Sequence, residues 1–168
     1  MNVYELTIPV FLKTLSTVER CIDKAIESAE QRSFDPEVLM QARLAPDQFP
    51  FLRQVTAACD TAKWAAATLA GKEGPSHPDT ETTIVELRAR LQTVRTYLES
   101  FGPEDYAGAE ERACTHSWMQ GRSMRGSDYV NEFVLPNFYF HVSLAYAILR
   151  HNGVPLGKID YLGGLTLQ

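Results

Sequence analysis

Ile84-Val85-Glu86-Leu87-Arg88-Ala89-Arg90-Leu91-Gln92-Thr93-Val94-Arg95-Thr96-Tyr97-Leu98 carries apolar side chains at positions 84, 87, 91, 94 and 98. Steps of three and four return to one side of an α-helix, and a stripe this narrow is the seam along which bundled helices pack. The helix around it is expected over residues 80–100. Glu86 and Arg90 stand one turn apart on it, a spacing that adds only tenths of a kcal/mol.

The same period recurs in three further segments. Residues 7–30 place Phe11, Leu15, Val18, Ile22, Ile26 and Ala29 on one face, with Glu19, Asp23, Lys24 and Glu27 off it. Pro9 suits the first turn of this helix, where no intrahelical hydrogen bond is lost. Residues 50–70 align Leu52, Val55, Cys59, Ala62, Ala66 and Leu69, and Gly71 is the expected C-cap. Alanine dominates this helix, which suggests close approach to a neighbour. The last helix is read over residues 128–151, stopped by Asn152-Gly153. Pro136 lies well inside it. It should delete one backbone bond, free the carbonyl of Glu132 and kink the helix by more than about 20°. Asp35-Pro36 has the form of an N-cap and first position of a short helix. Residues 114–126 lack helical period, and Gln120-Gly121 within them is a turn signal, so they are read as a small β-hairpin. The result is an all-α four-helix bundle with one small insert before the last helix, in a single domain over residues 1–168.

Composition narrows the function. Sixteen Lys and Arg against 21 Asp and Glu give a net charge of −5. Such a chain lacks the basic surplus that nucleic-acid binding needs. No window approaches 18 uninterrupted apolar residues, so no membrane span is expected. The N-terminal stretch, with Glu5 and Pro9 in its apolar run, does not read as a secretory signal. Cys21, Cys59 and Cys114 are odd in number and widely spaced, as in reduced thiols of a cytoplasmic protein.

The segment Leu135-Pro-Asn-Phe-Tyr-Phe-His141-Val is largely apolar around one Asn and one His. Asn137 and His141, four residues apart, share a helix face. Desolvation would disfavour the charged imidazole there, leaving a neutral His141 fit to act as a base, a hydrogen-bonding anchor or a metal ligand. The plainer reading is a core histidine satisfied by a carbonyl or by Asn137. Asp60 either turns toward the bundle, to orient His141 or hold a substrate, or belongs to a short solvated stripe with Arg53, Thr56 and Lys63. Gln54 lies six residues before Asp60, about 120° round a regular helix, so the two cannot face one point. Trp64 offers a flat apolar wall with an N–H donor, and Tyr139 is similar. Cys114 and His116 would share one side of a strand but are too few for zinc. His77, in a Ser-His-Pro loop, reads as solvated. No phosphate loop, nucleophile elbow, H-E-x-x-H or E-x-x-H pattern occurs.

Leu135-Pro-Asn-Phe-Tyr-Phe-His-Val with its continuation to Lys158, Leu44-Ala-Pro-Asp-Gln-Phe-Pro-Phe with Arg53-Gln54 and Cys59-Asp60, the opening Ile8-Pro-Val-Phe-Leu and the tail Asp160-Tyr-Leu-Gly together resemble a known family. It is a domain-of-unknown-function family within the DinB/YfiT-like metalloenzyme superfamily, with bacterial and fungal members. The resemblance implies a four-helix bundle, often dimeric, with a pocket at one end of the helices. The wider superfamily commonly holds a divalent metal through one histidine of the second helix and an H-x-x-x-H on the last, and includes thiol-dependent transferases. At the H-x-x-x-H positions this sequence has Asn137 and His141, and its second helix has no histidine.

The leading expectation is a cytoplasmic protein that binds a small organic molecule, with His141 as general acid or base, Asp60 as an orienting carboxylate, and Asn137, Gln54, Trp64 and Tyr139 around the ligand. One alternative is a divalent-metal enzyme of degenerate ligand set, built on His141 and Asp60 with Asn137 or Gln54. Another is a non-enzymatic homodimer scaffold, meeting its partner through the alanine-rich helix or the insert around Trp118. Neither nucleic acid nor membrane is expected as a partner.

Overall fold

Capping chemistry sets where two of the long helices begin. The computed structural model describes residues 2–167. Helix α1 spans Val3–Gln31, four residues earlier than its apolar stripe suggests, because Asn2 and Glu5 close a capping box at its start. Pro9 therefore lies inside the helix rather than in its first turn; it is exposed. Helix α2 spans Phe51–Ala70, and Gly71 ends it in the left-handed conformation, as expected. Helix α3 covers Ile84–Glu99, shorter at its start than residues 80–100. Thr83 and Glu86 form its capping box, which removes Glu86 from any pair with Arg90. Asp35 caps the 3₁₀ turn Pro36–Gln41 through its side chain, as the Asp-Pro pair predicts.

Helix α4 runs over residues 126–151 in three parts: Gly126–Asp128 α, Tyr129–Val134 π and Leu135–His151 α. The amide of Leu135 donates to Val130, five residues back. The sequence leads to a kink at Pro136; the structure adds a π turn one turn ahead of the ring, where the chain widens. The π turn breaks the regular ladder where the proline cannot donate to it. A short α5 follows at Lys158–Leu162, unforeseen from its period.

The four long helices bury one core. Phe11, Leu15 and Ile22 of α1 and Leu87, Leu91, Val94 and Leu98 of α3 are sealed from solvent, which bears out both stripes. Ala58, Ala62, Ala65 and Ala66 of α2 are equally buried, and α2 packs most extensively against α4. Small side chains on α2 let the two backbones close. The insert pairs β1 (Ala113–Cys114) antiparallel with β2 (Met124–Arg125), with Cys114 opposite Met124. Gln120 and Gly121 both take positive φ, but they lie after the 3₁₀ turn Ser117–Met119 in a long loop, not in a two-residue hairpin turn. Gly126 lets this insert dock onto the start of α4: an added Cβ would fall 1.8 Å from the carbonyl oxygen of Ala109. No helix of the described residues is long and apolar enough to cross a membrane.

Candidate functional site

Two polar rungs join α2 to α4. In the first, His141 Nδ1 meets Gln54 Oε1 at 2.8 Å. Gln54 donates through Nε2 to the carbonyl of Phe49 at 3.1 Å, which fixes its amide so that Oε1 accepts. Nδ1 of His141 therefore carries the proton. Burial, and after it the Arg53 charge, holds the His141 pKa below the usual histidine value. In the second rung Asn137 Nδ2 meets Thr61 Oγ1 at 2.8 Å. Thr61 gives its one hydroxyl proton to Ala57 O at 2.8 Å, so Asn137 is the donor. Its Oδ1 has no protein partner among the described residues.

Asn137 and His141 thus face α2 together, as their spacing predicts. Their partners Thr61 and Gln54 are seven residues apart, about 10 Å along the helix. The rungs lie at different depths, and a cleft of about 430 Å³ opens at the Asn137 rung. That volume is in the range of small-molecule sites. Asp60, Thr61 and Trp64 of α2 form one wall. Tyr129, Phe133 and Asn137 of α4 form a second, and His116, Ser117 and Trp118 of the insert a third. His141 and Gln54 do not line it. Tyr139 is 38% exposed and packs its ring edge on Phe138.

The π turn explains the α4 wall. Four residues of α-helix overshoot a full turn by about 40°. Four residues of the wider π turn fall short of one. The step from Tyr129 to Phe133 and the step from Phe133 to Asn137 therefore offset each other, and all three side chains reach one wall. The aromatic rings brace one another: Trp118 sits 4.9 Å from Phe133 and lies parallel to His116 within 4°, and Tyr129 stacks on Phe133. His116 Nε2 is 2.7 Å from the Tyr129 hydroxyl, and burial lowers the His116 pKa, favouring the neutral ring. The backbone at Gly74 lies against Trp64: an added Cβ would stand 2.8 Å from Cε3.

Asp60 anchors a charge cluster behind the cleft. Its Oδ1 accepts from Lys63 Nζ at 2.7 Å and from Arg90 Nη2 at 2.8 Å. Arg90 also reaches Glu81 at 2.9 Å and Asp79 at 3.3 Å, and Asp79 pairs with Arg53. Lys63 is 1% and Arg90 4% exposed, so the stripe Arg53, Thr56, Asp60, Lys63 is not a solvated face. The chain leaving α2 folds back over it and supplies Asp79, Glu81 and His77. His77 is not solvated either: its Nδ1 lies 3.0 Å from Lys63 Nζ. Burial first, then Arg90 and Lys63, lowers its pKa. The six charges of the cluster, three of each sign, balance. Oδ2 of Asp60, in the cleft wall, has no protein partner among the described residues.

The residues at the superfamily's metal positions do not fit a metal. Asn137 and His141 each hold a separate partner on α2, about 10 Å apart along it. Asp60 is tied to two cations. Among the described residues no three His, Cys, Asp or Glu side chains converge as ligands. Burial pushes the Cys59 thiol up to about 12 and Cys21 up to about 11, so neither supplies thiolate near neutral pH.

Of the residues singled out in the sequence, Asp60, Trp64 and Asn137 meet in the cleft, and His141 and Gln54 meet outside it. Thr61, Tyr129, Phe133 and the aromatic part of the insert are additions. The spacing 129, 133, 137 could have signalled the α4 wall.

The family model described as a domain of unknown function, DUF1993, matches residues 3–162. A crystal structure at 1.83 Å resolution of a DinB family member protein from Shewanella denitrificans superposes with a TM-score of 0.95. It is 45% identical, over 99% of this chain and 94% of that one. No match is found among curated proteins.

Proposed function

This chain belongs to the DUF1993 family, with the DinB-like bundle, and from that premise we propose that it binds a small organic molecule in the cleft between α2, α4 and the insert. One observation carries this reading. Asn137 is locked by Thr61 so that its Oδ1 is left without a protein partner among the described residues, in the wall of an open cleft of about 430 Å³ that Trp64, Trp118, Tyr129 and Phe133 also line. A polar atom held without a partner beside aromatic rings in a ligand-sized cleft is an arrangement that recognition sites use. His116, hydrogen-bonded to Tyr129, is the imidazole such a molecule would meet, and any proton transfer falls to it rather than to His141.

Ligand-observed NMR against a library of small organic molecules tests the reading. Hits are expected on the wild-type chain and should be lost when Trp64→Ala and Phe133→Ala are combined. Hits that survive both changes would place binding elsewhere.

A homodimer is the second reading. Tyr139 and Phe140 are 38% and 55% exposed and adjacent on the outer side of α4. Sedimentation should then show a dimer that Phe140→Ser weakens; a monomer at every concentration would end that reading.

A further inference from the structure

The atoms left open in the cleft select a ligand class. Two of its lining residues each keep a strong acceptor with no protein donor among the described residues: Asp60 Oδ2 and Asn137 Oδ1. The second is an acceptor by necessity, since Thr61 has spent its proton on Ala57 and holds the amide nitrogen toward its own oxygen. A molecule that leaves either acceptor unmet would pay its desolvation without return. The ligand must bring N–H or O–H donors.

Its charge follows from Asp60. Oδ1 already accepts from Lys63 at 2.7 Å and Arg90 at 2.8 Å, both almost fully buried. A third full positive charge at Oδ2 would meet both cations across one carboxyl group, and those two cations are themselves buried away from solvent. The wider cluster offers no surplus negative charge, because Arg53, Lys63 and Arg90 balance Asp60, Asp79 and Glu81. A neutral N–H dipole gains the hydrogen bond to a charged acceptor without that repulsion. An anion would face Oδ2 directly and is disfavoured as well. The shape follows from the rings: Trp64, Trp118 and Phe133 present flat surfaces that suit a planar body.

We propose that the cleft recognises an uncharged planar ring compound bearing an amide or amino N–H₂ group, its hydrogens directed at Asp60 and Asn137. This rests on the binding role proposed above and names the chemistry of the same cleft.

Four probes built on one phenyl ring separate the terms: benzamide, N,N-dimethylbenzamide, benzylammonium and benzoate. Their affinities for the intact chain are read by titrating amide NMR shifts around Trp64 and Trp118. Benzamide is expected to bind at least tenfold more tightly than each of the other three. Asn137→Leu, which leaves the charge cluster untouched, should weaken benzamide at least fivefold and leave N,N-dimethylbenzamide unchanged. Equal binding of benzamide and its dimethyl form overturns donor recognition while the cleft stands. Tightest binding by benzylammonium overturns the requirement for a neutral ligand, again leaving the cleft. If no probe shifts residues of the cleft, this inference and the binding role fall together. Should Asn137→Leu not fold, the four-probe comparison on the wild-type chain decides alone.

Discussion

Arg90 shows how one residue holds several elements. From α3 it reaches Asp60 on α2 and both Asp79 and Glu81 on the segment between them. Stranding fully buried charges costs about 3–5 kcal/mol, and the part exposure of Asp60 and Asp79 puts the loss of Arg90 at the lower end of that range. Arg90→Met should therefore lower the unfolding free energy by about that much in urea titration. Arg88→Met, which breaks an exposed pair with Asp23, should change it by less than about 1 kcal/mol. Equal effects would mean that the cluster does not hold the fold. Gln54 is a smaller case. It is 1% exposed, and Gln54→Leu would leave both the Phe49 carbonyl and His141 Nδ1 without it. A loss of about 1–3 kcal/mol is expected, with cleft binding intact. Single residues were the hardest level to read from sequence. The charges of Asp60 and Lys63 are plain in the sequence, but what buries them is not: Arg90 comes from α3, where it lies off the apolar stripe, and His77, Asp79 and Glu81 come from chain without periodic pattern.

At the level of elements, apolar periods located all four long helices, because a buried stripe must repeat once per turn. Their starts were less legible. Capping boxes at Asn2 and Thr83 set those of α1 and α3, independently of the stripe. The π turn was legible only in part. Pro136 announces a break, but whether a helix bends or widens depends on what its neighbours accommodate. The π segment ahead of it aligns Tyr129, Phe133 and Asn137, so restoring a regular ladder should scatter them. Pro136→Ala, which returns an N–H to the helix, is expected to keep or raise the thermal midpoint while weakening probe binding at least threefold. Undiminished binding would show that the cleft wall does not depend on the proline.

Across the whole molecule, acidification works through histidine before it reaches the carboxylates. Burial holds the pKa of His77, His116 and His141 below the usual value, with cationic neighbours adding to this at His77 and His141. As pH falls through about 6.5, the unfolded chain takes up protons that the folded chain refuses, so stability is lost below that pH and is fully present above it. Asp79 behaves oppositely in window: burial tends to raise its pKa, but Arg53 and Arg90 outweigh that and lower it. Its contribution is therefore lost only as pH falls below about 4. Thermal midpoints should drop between pH 7 and 5, and His77→Gln should remove part of that drop; a midpoint flat across this range contradicts the assigned geometry. The cleft itself joins three separated stretches, residues 60–64, 116–118 and 129–137, and only folding brings them together. Its location against the His141 rung is settled most directly by a crystal structure of the chain soaked with benzamide. Density is predicted between Trp64 and Phe133, within hydrogen-bonding distance of Asn137; an empty cleft with the molecule bound at His141 and Gln54 would contradict the account.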